Sequence, residues 1–196
     1  MITQFNSRLA TESDVPGLTT LMDAAILELQ RAYLDDAQIA ASRAVMGLDK
    51  QLIEDGTYFV VELEGELAGC GGWSRRATPY GGSHTRGRDD RLLDPATDAA
   101  LVRAMYTSPR YVRRGVGRLI LSLCESAAAA EGFTRLELVS TLAGEPLYSA
   151  YGFRQVELLD DATNGAGEAA VPALRMQKQV DPTLLLRSRA DDPKQV

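Results

Sequence analysis

The chain has 196 residues, with 21 basic and 27 acidic side chains and a formal net charge of −6. At 45% hydrophobic and 24% charged residues it has the composition of one soluble domain with a full core, which excludes a wholly disordered chain. The acidic balance argues against nucleic acid as a partner, and no run of 18 apolar residues suits a membrane. The N-terminus lacks the basic and apolar regions of a secretion signal, so a cytoplasmic location is expected, with Cys70 and Cys124 as reduced thiols. One histidine, His84, and two widely spaced cysteines make no metal-ligand set, so no metal is expected.

Hydrophobic periods alternate between strand and helix along the chain. Residues 4–10 read as a strand. Thr11 or Ser13 caps the helix that follows, with Pro16 near its start and Leu18, Leu21, Met22, Ala25, Ile26 and Leu29 recurring at helical spacing. A second helix is expected over 35–46 and a short one over 49–54. Thr57–Leu63 and Glu66–Ser74 are strands joined by the two-residue turn Glu64-Gly65, a hairpin. From 76 to 97 the period lapses into a long polar loop, of a length that in a compact domain is functional or disordered. Leu101–Thr107 is a strand, and 114–130 a helix stopped by Gly132. A strand over 135–139, a short helix over 144–151, a strand over 153–158, a polar turn over 160–167 and a last strand over 171–179 follow. Residues 181–196 read as a tail behind a single domain spanning 1–180. The strand–helix–strand unit 101–139 requires a parallel pair with a right-handed crossover, whereas the hairpins are antiparallel. The expected fold class is α/β (α+β): a mixed, mostly antiparallel sheet of about seven strands with helices on both faces.

No acidic residue lies between Asp98 and Glu125, while Arg103, Arg110, Arg113, Arg114 and Arg118 do. This positive stretch coincides with a helix start carrying Gly115 and Gly117. A helix N-terminus offers unpaired N–H groups and the positive end of the dipole, and glycines let a ligand approach the backbone. Together they describe an anion site suited to a pyrophosphate. Two familiar phosphate motifs fail: GxxxxGK[ST] does not occur, and the dinucleotide pattern GxGxxG meets Ile120 at its third glycine.

The segment Met105-Tyr106-Thr107-Ser108-Pro109-Arg110-Tyr111-Val112-Arg113-Arg114-Gly115-Val116-Gly117-Arg118 resembles the acetyl-CoA-binding motif of the GNAT superfamily of acyl-CoA N-acyltransferases. A second signature of that family, L-Y-x-x-x-G-F, stands as Leu147-Tyr148-Ser149-Ala150-Tyr151-Gly152-Phe153. With the strand order, the resemblance covers about residues 4–179. It implies the GNAT fold and transfer of an acetyl group from acetyl-CoA to a primary amine, carried on a small molecule or a peptide, by a monomer or homodimer. It also implies that the backbone of Met105, Tyr106 and Thr107 pairs with the pantetheine arm and supplies an oxyanion donor. Val112, Arg113, Arg114, Gly115, Val116, Gly117 and Arg118 would hold the pyrophosphate, Thr141 would hydrogen-bond to the cofactor, and Tyr148 would protonate the departing thiolate.

Three positions depart from the family pattern. Val112 replaces the first Gln or Arg of the turn, which moves the phosphate contact to Arg113 and Arg114. Thr141 stands where an Asn is frequent. The strand 101–107 holds no acid where many members carry a general base. The missing acid motivates an alternative: an acyl-CoA-binding module without catalysis. For the acceptor, Trp73, Arg75, Tyr80 and His84 border the long loop, and Tyr33 lies in the region that covers the acceptor site in the family. The Arg-rich segment 76–94 reads either as a lid over an acceptor carrying a carboxylate or phosphate, or as a solvated loop or a homodimer contact.

Overall fold

The computed structural model describes residues 5–78, 80–85, 88–163 and 169–190, with side chains to residue 186 in the last stretch. The strands are β1 (Asn6–Leu9), β2 (Tyr58–Leu63), β3 (Glu66–Ser74), β4 (Ala100–Thr107), β5 (Arg135–Thr141), β6 (Arg154–Leu159) and β7 (Ala173–Gln179). The helices are α1 (Val15–Leu29), α2 (Asp36–Val45), α3 (Lys50–Glu54), α4 (Val116–Ala130), α5 (Glu145–Tyr151) and α6 (Pro182–Ala190).

Local chemistry explains several boundaries. Asp35 caps α2: its carboxylate accepts the Gln38 N–H at 2.8 Å, and the Gln38 side chain accepts the Asp35 N–H at 3.2 Å. Glu64 and Gly65 both take positive φ, 52° and 83°, as a two-residue hairpin turn requires. Helix α4 begins at Val116, two residues later than the periodicity suggests. Arg113 (φ 62°) and Gly115 (φ 89°) are left-handed, so the turn before the helix cannot itself be helical.

The strands form one sheet in the order β1-β2-β3-β4-β5-β7-β6. Only β4 and β5 run parallel; every other neighbouring pair is antiparallel. Helices cover both faces, as expected from the alternation of periods. On one face Val116, Ile120, Cys124 and Ala128 of α4 pack with Trp73, Val102, Leu136 and Met176. On the other, Leu18, Met22 and Ile26 of α1 and Ile39 of α2 pack with Tyr58, Val60 and Cys70. The α4 face closes tightly because β3 carries glycine there: a Cβ at Gly69 would stand 2.5 Å from Val116 Cγ1.

The segment read as a tail starts as a helix. Leu184 and Leu185 of α6 pack on the α4-side core, and the buried Glu125 carboxylate accepts both the Lys178 ammonium and, at 2.8 Å, the Asp181 N–H. Three apolar residues in a polar stretch carry little periodic signal, but they suffice once α4 offers a groove. Residues 191–196 and 164–168, the latter part of the expected polar turn, lie outside the described residues.

The loop 76–97 is irregular yet pinned. Arg76 binds the Asp55 carboxylate with two hydrogen bonds of 2.7 and 2.8 Å. Thr78 Oγ1 accepts the Asp89 N–H at 2.9 Å and donates to the Asp89 carbonyl at 3.0 Å. Arg88 reaches both Asp49 oxygens at 3.0 Å. These ties fasten the described residues of the segment, read in the sequence as a lid, to both ends of α3. Among the described residues no helix is long and apolar enough to cross a membrane.

Candidate functional site

The site begins with a break in β4. Cys70 faces Tyr106 and Gly72 faces Arg103, so three steps of β4 span two of β3. The extra residue is a bulge in which Ala104 takes φ 50°, disfavoured for an L-residue by about 1–2 kcal/mol. The buried Tyr58 hydroxyl donates to the Ala104 carbonyl at 2.7 Å and ties the bulge to β2. Already before the bulge β4 has left its parallel neighbour: the two strands pair only at Ala100↔Leu136 and Leu101↔Glu137.

Two spaces open at this splay. A cleft of about 580 Å³ runs from the splay to the start of α4, between the C-terminal end of α1 and the N-terminal half of α5. Every residue expected to hold the cofactor lines it except Arg114. Met105, Tyr106 and Thr107 form its floor, and Val112, Arg113, Gly115, Val116, Gly117 and Arg118 its phosphate end. Thr141 and Tyr148 stand opposite, from β5 and α5. Gly117 permits the close approach of α5, since a Cβ there would meet Leu147 Cδ2 at 2.6 Å.

The positive stretch read in the sequence divides among different environments. Arg113 and Arg118 line the cleft, the latter 5.5 Å over the Tyr151 ring. Arg114 does not: its guanidinium lies 5.4 Å over Tyr111 and 6.0 Å from Phe5, because the left-handed residues on either side turn it away from the cleft. Arg110 pairs with Glu66 at 2.8 Å. Arg103 is buried on a different path, paired with Asp49 at 2.7 Å.

A second, smaller pocket of about 120 Å³ is walled by the end of α2 and the residue after it (Ser42, Val45, Met46), the loop after β3 (Tyr80, Gly81), β4, Val139, and the segments at Thr163 and Val171. The two spaces share Met46, Met105, Tyr106, Thr141 and Tyr148. Tyr148 therefore stands at their junction, its ring edge-on to Phe153 at 5.9 Å, and burial pushes its phenol above the ordinary tyrosine range. The Tyr106 hydroxyl accepts the Gly47 N–H at 3.0 Å and anchors the chain between α2 and α3 over the junction.

No Asp, Glu or His is among the described residues lining either space. Glu137, the strand acid nearest in sequence, is bound to Gln177 at 2.6 Å on the β5–β7 ladder. Among the described residues no group of three His, Cys, Asp or Glu could hold a metal ion.

Of the acceptor candidates, Tyr33 lines the large cleft and Tyr80 the small pocket. Trp73, Arg75 and His84 line neither. Trp73 is 1% exposed and meets Phe133 edge-on at 5.8 Å: β3 is central and covered on both faces, so its aromatic side chain is core. Arg75 lies 5.3 Å over that indole and pairs with Glu131. His84 is exposed and packs against the Gly47 and Gly82 backbone, outside the pocket wall.

The sequence reading missed Asp49 and Ser42 and misplaced Arg103. One signal existed: an arginine inside the apolar run AALVRAMYT must find a buried partner.

Comparison with known proteins agrees with this geometry. The model of the acetyltransferase (GNAT) family matches residues 22–153, more than half of the chain. A GCN5-related N-acetyltransferase from Rhodopseudomonas palustris superposes with a TM-score of 0.67 at 18% identity, over 91% of this chain and 98% of that one. The ribosomal-protein-S18-alanine N-acetyltransferase of Escherichia coli gives 0.57 at 16%, over 91% and 95%. The yncA protein of Salmonella typhimurium, a putative acetyltransferase solved with its cofactor acetyl-CoA, gives 0.58 at 20%, over 90% and 94%. No curated protein sequence matches the chain. The bulged fourth strand, the glycine turn into α4 and the match of sequence and fold lead to one assignment: this chain belongs to the acetyltransferase (GNAT) family.

Proposed function

We propose that the protein is an N-acetyltransferase that passes an acetyl group from acetyl-CoA directly to a primary amine held in the small pocket. The observation that carries this reading is the pair of spaces meeting at Met105, Tyr106 and Tyr148, one elongated with a cationic glycine turn at its end, the other compact. The cleft fits the cofactor: it ends on the unpaired N–H groups of α4, is flanked by Arg113 and Arg118, and holds no carboxylate among its described lining residues. Solved structures of the same fold carry coenzyme A or acetyl-CoA, in the Thermoplasma acidophilum paiA N-acetyltransferase and in yncA.

Acetyl-CoA supplies an activated acyl thioester. This chain's own groups do the rest. The β4 edge beyond Leu101 has no β5 partner, which leaves the Met105–Thr107 backbone to pair with an extended ligand and to donate an N–H to a carbonyl oxygen gaining negative charge. Tyr148 holds its proton at neutral pH, because burial disfavours the phenolate, and can give it to a departing thiolate. Tyr106, held by Gly47, keeps the two spaces in line. With no carboxylate or histidine among the described lining residues, the amine loses its proton to solvent before or during attack.

That same observation favours a second reading, an acyl-CoA-binding module without turnover. Release of free CoA thiol over a panel of primary amines separates the two. Amine-dependent release supports the transferase; tight acetyl-CoA binding with no release over the panel refutes it in favour of the module.

A further inference from the structure

We infer that the acceptor is a short apolar amine: a primary amine on a hydrocarbon body of about four carbons, with no second charged or polar group. This inference rests on the transferase reading and specifies the occupant of its small pocket.

Size sets the length. The pocket encloses about 120 Å³, and a water takes roughly 30 Å³ of the liquid, so it has room for about four groups of that size. The reacting nitrogen belongs at the junction with the large cleft, so this room is for the body behind it.

The walls set the polarity. Val45, Met46, Val139, Val171, Pro172 and Ala173 converge on the pocket from the end of α2, from β5 and from the start of β7. The polar side chains between them are engaged or sealed. Arg103, its side chain 2% exposed, gives its terminal nitrogens to Asp49 at 2.7 Å and to the Gly81 carbonyl at 2.8 Å. The Thr163 hydroxyl donates to Asp161 Oδ1 at 2.6 Å, and the same oxygen accepts the Thr163 N–H at 2.8 Å and the Val171 N–H at 3.2 Å. Ser42 Oγ is buried out of reach, and Tyr80 is likewise engaged. Tyr106, Thr141 and Tyr148, by contrast, line both spaces and so gather at the junction, where the amine reacts.

The loop after β3 fits the same account. Its arginines suggest an anionic acceptor in the sequence, yet those described are held by the protein's own acids. Arg75 pairs with Glu131, Arg76 with Asp55, Arg88 with Asp49 and Arg91 with Asp98, and none of the four lines either space. A carboxylate, ammonium or hydroxyl carried into the pocket would lose its water and meet no partner on the described walls, whereas a hydrocarbon is favoured there.

Val139 sets where the body ends. It lines the small pocket and not the cleft, and it shares a face of β5 with Thr141 of the junction. Two residues of a strand advance by about 7 Å, so Val139 meets the body well away from the reacting nitrogen.

The test is acetyl transfer read as free CoA thiol, with kcat/KM measured for straight-chain amines from ethylamine to octylamine. Their basicities are nearly equal, so protonation does not rank them. kcat/KM should rise about fourfold per methylene to butylamine or pentylamine and then stop rising. Three analogues replace the terminal methyl: 3-aminopropan-1-ol and 1,3-diaminopropane for butylamine, and 5-aminopentanoate for pentylamine. Each should fall about tenfold or more below its hydrocarbon counterpart. Val139→Ala should lengthen the best chain by one or two carbons and Val139→Leu should shorten it, with melting temperatures showing that each variant folds. Should Val139→Leu fail to fold, Val139→Ala decides. A profile flat or falling with chain length overturns the inference, as does an analogue that matches its hydrocarbon counterpart, or an optimum unmoved in the folded variants. The parent reading fails separately. Release from a peptide such as trialanine but not from the short alkylamines leaves the transferase standing and removes the apolar acceptor. No release from any amine, although acetyl-CoA binds, refutes the transferase itself.

Discussion

Tyr58→Phe tests whether the bulge in β4 builds the site. The substitution keeps a ring that is 1% exposed and deletes only the hydroxyl that donates 2.7 Å to the Ala104 carbonyl. A part-buried carbonyl left without its donor costs up to about 1–3 kcal/mol. For a chain of this size each kcal/mol moves the melting temperature by about 2–4 °C, so a fall of roughly 2–12 °C is expected. The lost bond is of the same size as the strain at Ala104, about 1–2 kcal/mol, which it offsets. Without it β4 relaxes toward a regular register and re-aims Met105, Tyr106 and Thr107, the floor of the large cleft. Acetyl-CoA affinity should therefore fall about tenfold along with stability. Thermal denaturation and calorimetric titration measure the two effects. An unchanged melting temperature would show that Tyr58 does not hold the bulge. A lowered one with unchanged affinity would show that the bulge does not set the binding edge.

Three further outcomes follow from the same geometry. Tyr148→Phe should lower kcat about 10²-fold with acetyl-CoA affinity little changed, measured on a substrate for which chemistry limits the rate; wild-type turnover would remove the acid role. The pH profile of kcat/KM should show one rising limb that tracks the pKa of the amine supplied, since neither carboxylate nor histidine is among the described lining residues; a limb fixed across amines of different pKa would reveal a protein base. Hydrogen bonds from Arg76 hold the Asp55 carboxyl below its usual range, so its contribution to stability is full above the unfolded value near 4 and is lost as pH falls through the folded value. Arg76→Ala should therefore narrow the gap in stability between pH 7 and pH 3, and an unchanged acid transition would contradict that role.

The fold was legible because its signals are local. The hairpin turn at Glu64-Gly65, the cap at Asp35 and the one-sided apolar face of α4 each act within a few residues. The cofactor cleft was legible for the same reason: its phosphate end is one contiguous turn, Val112–Arg118, and Thr141 and Tyr148 lie close together on the next strand and helix. The small pocket was not, since it is assembled from Ser42, Tyr80, Arg103, Thr163 and Val171, which only the sheet brings together. Sequence charge could not tell that Arg103 turns inward to Asp49 while Arg113 and Arg118 face the cleft; the bulge at Ala104 and the left-handed residues around Arg114 decide that. Trp73 misled because it borders a polar loop in sequence but stands on a strand buried on both faces.

The central claim is that the cleft ending at the α4 turn binds acetyl-CoA. Calorimetric titration of acetyl-CoA into the wild type and into Arg113→Glu tests it most directly. Arg113 lines the phosphate end of the cleft, and a carboxylate there removes a charge-assisted contact worth about 1.5–3 kcal/mol and adds repulsion. The account predicts saturable binding at one site per chain and a loss of about tenfold or more in the variant, with an unchanged melting temperature in the absence of ligand. No binding to the wild type, or equal affinity in the folded variant, would contradict it.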